Sequence, residues 1–329
     1  MKIIKQNAVL MDQTTPEEAY QHIERIGRTC YKSEDKITKD SAAVFCLRMK
    51  ASNHYAMLEH YMIHLSINSE LMMRFMHEVR GVRLQNYFVY DYNHVDPNKG
   101  WLSGSFRTFL DFYHASTVST MVSDTIFAAL VTHFPIFFGD IKPTIINDAW
   151  LANTWVLSDA KFIETINAVD IPKDFCNEIL IKHITHTLLF TTDRGVTHEM
   201  VRHRPASFAQ ESTRYCNYTK GKFGNEITVI EPGFYERDSE LYNLWKEGCE
   251  YDEKVYFKLI EMGAKPQEAR DNLPTSVKAD LVVTASEMEW QHIIDLRYHG
   301  TTGAPHPQMK ELMSIAYPLL VAASDNRLK

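Results

Sequence analysis

The sequence predicts a helix-rich α+β protein, and three observations support this class. Apolar residues recur at helical spacing through most of the 329-residue chain. Two segments with strand character, residues 61–67 and 187–191, are each followed at once by a helical pattern. Apolar residues make up 45% and charged residues 23% of the chain, which is typical of a folded domain with a buried core.

The N-terminal third of the chain contains three predicted helices and one strand. Pro16 to Cys30 has helical spacing, with Thr15 as the cap and acidic residues in the first turn. Residues 41–50 predict a second helix. The alternating segment 61–67 predicts a strand, after which Ser69 is expected to cap a third helix. That helix carries Leu71, Met72, Phe75, Met76 and Val79 on its apolar positions.

The rest of the chain is mostly helical in pattern. Asp193 is expected to cap a helix that runs to residues 202–204 and ends at Pro205. A turn-rich loop at 221–225 precedes a strand at 227–230. The remaining helical patterns lie at residues 106–113, 122–134, 240–262, 267–272, 277–296 and 307–323.

Charge and cysteine content exclude several classes of protein. A net charge of −7 argues against general affinity for nucleic acids, so an anion site must be a local concentration of arginine. No apolar run reaches the length of a membrane span, and the first residues have no signal-peptide core. The five cysteines are widely spaced, which predicts reduced thiols in a cytoplasmic protein.

The strongest functional signal is the segment Arg202-His203-Arg204, followed after seven residues by Ser212 and then by Arg214. Forked, permanently charged arginines at this density predict a site for phosphorylated ligands. The pattern resembles the signature of the flavin-dependent thymidylate synthases, in which an Arg-His-Arg is followed by seven residues and a serine. The resemblance continues through Tyr215-Cys216-Asn217-Tyr218 and the segment 223–228.

The resemblance implies a helix-rich fold with a small central β-sheet and assigns roles to the signature. Arg202, His203 and Arg204 would contact FAD, together with Gln210. Ser212 would position the nucleotide without acting as a covalent nucleophile, since no base is evident beside it. The dUMP substrate would be held by Glu199, Arg202, Gln210, Glu211, Ser212, Thr213 and Arg214.

A second group of matching residues lies near the C-terminus. Arg270, in Ala269-Arg270-Asp271-Asn272-Leu273-Pro274, matches a family arginine that contacts dUMP. Arg297, in Leu296-Arg297, matches the arginine that faces the uracil. A cation against the pyrimidine carbonyl and N3 favours the ionised imide and pushes electron density towards C5, where the one-carbon unit is accepted. Arg297 is therefore the expected catalytic residue, with Ser212.

Several positions depart from the family pattern. Ala56, in the Leu58-Glu59-His60 segment that precedes a strand, replaces a hydroxyl residue that contacts FAD, so only a backbone contact is expected there. The family has Asn-x-Arg and a further Asn before the Leu-Arg. This chain has Ser286, Met288 and His292. Ser286 and His292 can still hydrogen-bond a flavin, whereas Met288 cannot replace an arginine.

The resemblance covers roughly residues 1–68 and 186–325, which predicts one catalytic domain at 1–68 and 186–329 with a mostly helical insertion at 69–185. A second hypothesis stays open. His77-Glu78-Val79-Arg80 follows a strand, as His198-Glu199-Met200-Val201-Arg202 does, as if a catalytic unit had been duplicated and one copy had lost its function. The two segments align only with gaps, and chance explains the similarity equally well.

The resemblance implies a FAD-dependent methyltransferase that converts dUMP to dTMP. Its co-substrates would be NADPH and 5,10-methylenetetrahydrofolate, and the resemblance implies a homotetramer with shared active sites. No metal is expected, because the histidines of His198–His203 are five residues apart rather than the four of a zinc protease helix. The alternatives are a non-catalytic nucleotide-binding protein of the same fold and a nucleic-acid-binding module.

Overall fold

The computed structural model describes residues 1–11, 15–115, 120–214, 217–219 and 224–329. The chain divides into two compact units. The first comprises residues 1–11, 27–35 and 186–329, and the second comprises residues 12–26 and 36–185. The predicted boundary at residue 69 thus falls inside the second unit. No helix in the described ranges is long and apolar enough to span a bilayer.

The first unit contains a four-stranded sheet and a two-stranded sheet. In the larger sheet the strand order is β2 (Asn7–Met11), β7 (Thr185–Asp193), β10 (Lys278–Ser286) and β8 (Ala206–Gln210). The smaller sheet pairs β1 (Lys2–Ile4) in parallel with β9 (Thr228–Ile230). Strands β7 and β10 are neighbours in the middle of their sheet and are buried along most of their length. The segments that follow these two strands, α10 and α13, therefore start from adjacent strands of one sheet.

The helices of the first unit pack around this sheet. They are α10 (Arg194–Met200), α11 (Glu240–Glu261), α12 (Pro266–Ala269), α13 (Glu287–Ile294) and α14 (Pro307–Ala323), with a single π-helical turn at Asp295–His299. A short 3-10 turn, Arg270–Asn272, follows α12. Apolar residues of β7, β10, α13 and α14 form the main core of this unit.

The second unit has its own four-stranded antiparallel sheet. Its strand order is β4 (Val89–Tyr92), β5 (Lys99–Ser105), β3 (Met62–Asn68) and β6 (Trp155–Leu157). Its helices are α2 (Ser41–Ala51), α3 (Ser69–Gly81), α4 (Phe106–Ala115), α5 (Met121–His133), α6 (Pro135–Phe138), α7 (Asp148–Leu151), α8 (Asp159–Asn167) and α9 (Lys173–His183). Helix α1 (Ala19–Tyr31) begins in this unit and ends in the first.

The two units repeat one arrangement of elements. In the second, β3 runs directly into α3, β4 follows, and β5 runs directly into α4. In the first, β7 runs directly into α10, β8 follows, and β10 runs directly into α13. The sheets agree as well, since β4–β5–β3 corresponds to β8–β10–β7, with β6 and β2 at the fourth place. This recurrence of topology is what the duplication hypothesis expects of residues 69–185.

The predicted helix-rich α+β class is confirmed, and three local predictions are wrong. The cap of α3 is Asn68, whose Oδ1 accepts from two helix N–H groups, while the Ser69 hydroxyl donates to the Pro97 carbonyl. The segment 277–296 is not one helix, because residues 278–286 form β10. That strand is buried on both faces, and a continuous apolar run does not distinguish strand from helix.

The third error concerns the end of α10. The helix ends at Met200, so Arg202, His203 and Arg204 lie in the turn beyond it and are not part of the helix. Pro205 disfavours the helical conformation for the residue before it, and the helix unwinds one turn earlier than the pattern indicates. His198 and Arg202 are therefore not neighbours on a helix face.

Candidate active site

The site begins where β7 meets α10. Asp193 caps the helix, with its Oδ1 accepting from the Val196 N–H at 2.7 Å, as the sequence predicts. Glu199 lies on the last turn, and the chain then turns through Arg202, His203 and Arg204 before entering β8. The cap fixes the start of a short helix, so the residues at its far end are held at a defined place.

Arg297 joins this turn from a distant part of the sequence. It lies on the single π-helical turn after α13, and its Nη1 donates to Glu199 Oε2 at 3.1 Å. Its Nε donates to His203 Nε2 at 3.0 Å. The side chains of Arg297 and Glu199 are 21% and 33% exposed, so the pair lies at the edge of the core and is reachable from solvent. Two segments that are far apart in the sequence thus meet at one guanidinium.

His203 is the buried centre of this group. Burial, followed by the neighbouring charge of Arg297, lowers the pKa of His203 to about 4. Because Arg297 cannot give up its proton at neutral pH, His203 Nε2 must accept, and the imidazole proton resides on Nδ1. His203 is therefore a neutral ring of fixed tautomer near pH 7.

Arg202 and Arg204 flank His203 and are exposed. The Arg204 Nη1 donates to the carbonyls of Val201 and His203, and its guanidinium lies 5.2 Å from the Phe208 ring centroid. No carboxylate in the described part of the chain pairs with either arginine. Two permanent cations that are not neutralised within one turn form a site suited to a diphosphate.

The segment from Gln210 to Arg214 follows β8. The Gln210 amide donates to the Thr197 hydroxyl at 2.9 Å, and the Ser212 N–H donates to the Cys30 carbonyl at 3.1 Å. Ser212 is half-buried, Thr213 is buried and Arg214 is exposed. The backbone of this segment is thereby anchored, while the side chains of Gln210, Ser212 and Arg214 remain partly or fully exposed.

Glu211 differs from its neighbours because it is buried in an ionic cluster. Its Oε2 accepts from the Lys278 Nζ at 2.7 Å and from the Asp280 N–H at 3.1 Å. Burial opposes ionisation of Asp280, but Lys278 and Lys32 lower the pKa of that carboxyl. The carboxylate of Glu211 is thus already engaged by the protein, and we expect it to support the segment rather than to contact a ligand.

The remaining predicted residues of the first unit lie on two elements. Arg270 is on the 3-10 turn after α12, with its side chain 40% exposed. Ser286 caps α13 through its hydroxyl, which accepts from the Glu289 N–H at 3.2 Å. The His292 ring lies 5.9 Å from the His203 ring. Ala56 is exposed on the 3-10 turn Tyr55–His60 of the second unit.

A cavity of about 270 Å³ opens beside Glu199 in the first unit. It is bordered by the start of α10 and by aromatic side chains that sequence analysis left unassigned, namely Phe234, Tyr235 and Trp245. Its size is near the lower end of the range for small-molecule pockets. A carboxylate of the predicted site therefore faces a concave, partly aromatic surface.

Sequence analysis missed one buried acid of this site, Glu289. It lies on the first turn of α13, is 6% exposed, and has its Oε1 3.9 Å from His203 Nδ1. Burial raises the pKa of Glu289 to about 7. The available signal was the Ser286-x-x-Glu289 spacing, which is typical of a helix cap and gives no hint of a functional site.

His203, Glu289 and His292 are the one group of the described residues with ligand atoms close enough to hold a metal, all within 4.8 Å. The surrounding contacts oppose a dication. The lone pair of His203 Nε2 is used by Arg297, and Arg202 and Arg204 add positive charge nearby. The prediction that the site holds no metal stays a prediction.

Comparison with known proteins shows what the C-terminal part of the chain, which carries this site, is similar to. Residues 177–320 match the family model described as thymidylate synthase complementing protein. Among curated relatives, a flavin-dependent thymidylate synthase of Pyrococcus abyssi is 31% identical over 156 residues, or 45% of this chain and 63% of the relative. A flavin-dependent thymidylate synthase of Pyrococcus horikoshii is 38% identical over 122 residues, or 37% of this chain and 49% of the relative.

The resemblance inferred from the sequence is confirmed, since this C-terminal region is similar to the flavin-dependent thymidylate synthases. A third relative, from Corynebacterium aurimucosum, is 28% identical over 44% of this chain and 61% of its own length. The matched region thus spans less than two thirds of these relatives.

Proposed function

We propose that this protein is a flavin-dependent thymidylate synthase that methylates dUMP to dTMP. The observation that carries the proposal is the convergence of Arg297 with Glu199 and His203, which lie 98 and 94 residues earlier in the sequence. A guanidinium held by one carboxylate and one neutral imidazole is oriented in advance, and such preorganised charge is what stabilises a developing anion.

Arg297 is the proposed catalytic group. Placed against a uracil carbonyl and N3, it favours the ionised imide and increases electron density at C5, which accepts the one-carbon unit. The pairing with Glu199 lowers the net charge that a substrate meets, while the π-helical turn fixes the direction of the guanidinium. The protein contributes orientation and charge to the reaction.

The remaining dUMP contacts would come from the segment after β8 and from the turn after α12. Arg214 and Arg270 are the proposed anion-binding groups, since both are arginines with exposed or half-exposed side chains. Ser212 would position the nucleotide, and Gln210 and Thr213 would shape its surroundings.

The residues of the 202–204 turn fit a dinucleotide cofactor. Arg202 and Arg204 supply two cations for a pyrophosphate, and Phe208 stacks against the Arg204 guanidinium. His203, Gln210, Ser286 and His292 would supply further polar contacts, with Ala56 limited to its backbone. When bound, FAD supplies the hydride-transfer chemistry, and these side chains hold and orient it.

The proposed co-substrates are NADPH and 5,10-methylenetetrahydrofolate, and the product besides dTMP is tetrahydrofolate. We further propose a cytoplasmic homotetramer with shared active sites that does not bind nucleic acids. The net charge of −7 supports the last point, because it disfavours a general attraction to phosphate backbones.

Two measurements on the full chain test the proposal. Absorption and fluorescence titrations with FAD should show saturable binding of the flavin. Anaerobic and aerobic assays with dUMP, methylenetetrahydrofolate and NADPH should then yield dTMP. Nucleotide binding without flavin would instead identify a non-catalytic nucleotide-binding protein. Steeply salt-dependent binding of nucleic acid would identify a nucleic-acid-binding module.

A further inference from the structure

Glu289 is a buried titratable group of the first unit that the proposed function leaves without a role. It is 6% exposed, and its Oε1 has no hydrogen-bond partner in the described part of the chain. A carboxylate oxygen removed from water without a donor is costly to the folded protein. Its position therefore requires an explanation beyond packing.

The local sequence would ordinarily place this carboxylate elsewhere. Ser286 and Glu289 have the spacing of a capping box, in which the acid returns to the N–H of the capping residue. Only the serine half forms here, since the Ser286 hydroxyl accepts from the Glu289 N–H at 3.2 Å. The carboxylate instead lies on the side of His203, with Oε1 3.9 Å from Nδ1.

His203 presents the matching hydrogen to Glu289. Its Nε2 lies 3.0 Å from the Arg297 Nε, which always carries a proton, so the ring proton is on Nδ1. The two nitrogens of one imidazole thus face two different partners. A carboxylate on the Nδ1 side would hold the ring in the orientation and tautomer that Arg297 needs.

We propose that Glu289 is a positioning residue that acts through His203 on Arg297. The Glu289 carboxylate attracts the Nδ1–H of His203 and so keeps Nε2 directed at the Arg297 guanidinium. This inference rests on the proposed function only in giving Arg297 its catalytic task. The orientation of the ring is a property of the chain itself.

The effect should depend on pH in a defined direction. His203 and His292 lie close to the Glu289 carboxylate. The charged or titratable groups that act on His203 are Arg202 and Arg204 from the turn after α10, and His292 and Arg297 from α13 and the π-helical turn. Burial raises the pKa of Glu289 to about 7. The carboxylate therefore forms, and its attraction for the Nδ1–H appears, as the pH rises through about 7.

The alternative for the same three side chains is a metal site. His203, Glu289 and His292 have suitable ligand atoms within 4.8 Å, but coordination at either nitrogen of His203 would displace the Arg297 contact or the ring proton. Attraction between the Glu289 carboxylate and the Nδ1–H of His203 leaves both the Arg297 contact and the ring proton in place.

The test compares Glu289→Gln and Glu289→Asp with the matched control Glu240→Gln, an exposed acid on the first turn of α11. Nitrogen-15 NMR of labelled histidines should show the Nδ1–H tautomer of His203 in the wild type, with shifts that titrate near pH 7. The titration should persist in Glu289→Asp and in the control and should be lost in Glu289→Gln. In parallel, kcat/KM for dUMP should rise through pH 7 in the wild type and fall about tenfold in Glu289→Gln, or about 1.4 kcal/mol.

The outcomes separate this inference from the proposed function. A wild type without flavin binding or turnover would reject the proposed function, while the NMR titration would still decide the role of Glu289. A Glu289→Gln variant that is folded by circular dichroism and has the wild-type tautomer and pH profile would overturn the inference. Stoichiometric Zn²⁺ binding that is lost in His292→Ala would also overturn it in favour of a metal site.

Discussion

The two units place different residues at the same topological position. In the first unit, α13 follows the central strand β10 and begins with Glu287. In the second unit, α4 follows the central strand β5 and begins with Phe106. Glu287 is fully buried and accepts hydrogen bonds from Arg327 and from His186 at 2.9 Å. Phe106 is equally buried, but it packs among aromatic rings, including Phe134 and Phe137 at centroid distances of 4.9 and 4.7 Å.

The second difference lies between the strands that carry these helices. In the second unit, residues 93–98 join β4 to β5 as a short hairpin. In the first, residues 211–277 separate β8 from β10 and carry Ser212, Arg214 and Arg270. One arrangement of strands and helices thus supports a polar, arginine-rich region in one unit and an aromatic core in the other. Topology alone does not define a site.

The largest expected effect tests the buried ionic pair of the first unit. Arg327→Ala leaves the Glu287 carboxylate buried with only His186 to compensate its charge, which should cost roughly 3–5 kcal/mol of unfolding free energy. Urea denaturation followed by circular dichroism measures this change in the free energy of unfolding. The control is Arg107→Ala, which removes the ion pairs with Glu59 and Asp111 at a side chain that is 40% exposed, and should cost only about 0–1 kcal/mol. Equal losses would show that the two units do not differ in this respect.

Arg297→Ala tests the proposed catalytic charge. Removal of a preorganised group that stabilises a developing anion typically lowers kcat by about 10²–10³-fold. The flavin absorption spectrum should change little, because the cations of the 202–204 turn remain. Arg74→Ala in the second unit, which removes an exposed pair with Glu70, is the control. Normal turnover in Arg297→Ala would contradict the assignment of this residue.

Arg214→Ala and Arg270→Ala should act mainly on nucleotide affinity. Each removes a proposed charge-assisted hydrogen bond to dUMP, worth about 1.5–3 kcal/mol, or a rise in Kd of roughly ten- to a hundredfold. Isothermal titration with dUMP measures this change. Arg237→Ala, with its side chain 77% exposed, should leave the affinity unchanged. An equal loss in that control would point to nonspecific electrostatics.

The smallest expected effect concerns the second unit. Arg80→Ala and Arg83→Ala should leave FAD and dUMP affinities within about twofold, or ~0.4 kcal/mol. Arg80 is the last residue of the segment that resembles His198–Arg202, but the second unit has no equivalent of the Ser212–Arg214 segment in its described residues. A much larger loss in flavin or nucleotide titrations would mean that the second unit supplies ligand contacts.

Local patterns predicted most of the elements but misjudged three of their details. The helices at 41–50, 240–262 and 307–323 follow from their apolar periodicity and are confirmed. Strand β10 was predicted as helix, because a strand buried on both faces has no alternation to distinguish it. The cap of α3 was predicted at Ser69, but the adjacent Asn68 takes that role. The end of α10 was predicted just before Pro205, but the helix ends at Met200.

The sequence by itself determined the resemblance to the flavin-dependent thymidylate synthases, because the identities and spacing of residues 202–214 are properties of the chain and need no contacts to be recognised. It also determined the α+β class through periodicity. Only the tertiary structure decided which side chains act together. Glu199, His203, Glu289 and Arg297 form one network because β7 and β10 are neighbours in a sheet, and pairing of distant strands is not encoded in local spacing. The burial that sets the protonation of His203 and Glu289 arises from the same packing, since desolvation depends on every segment that surrounds a group.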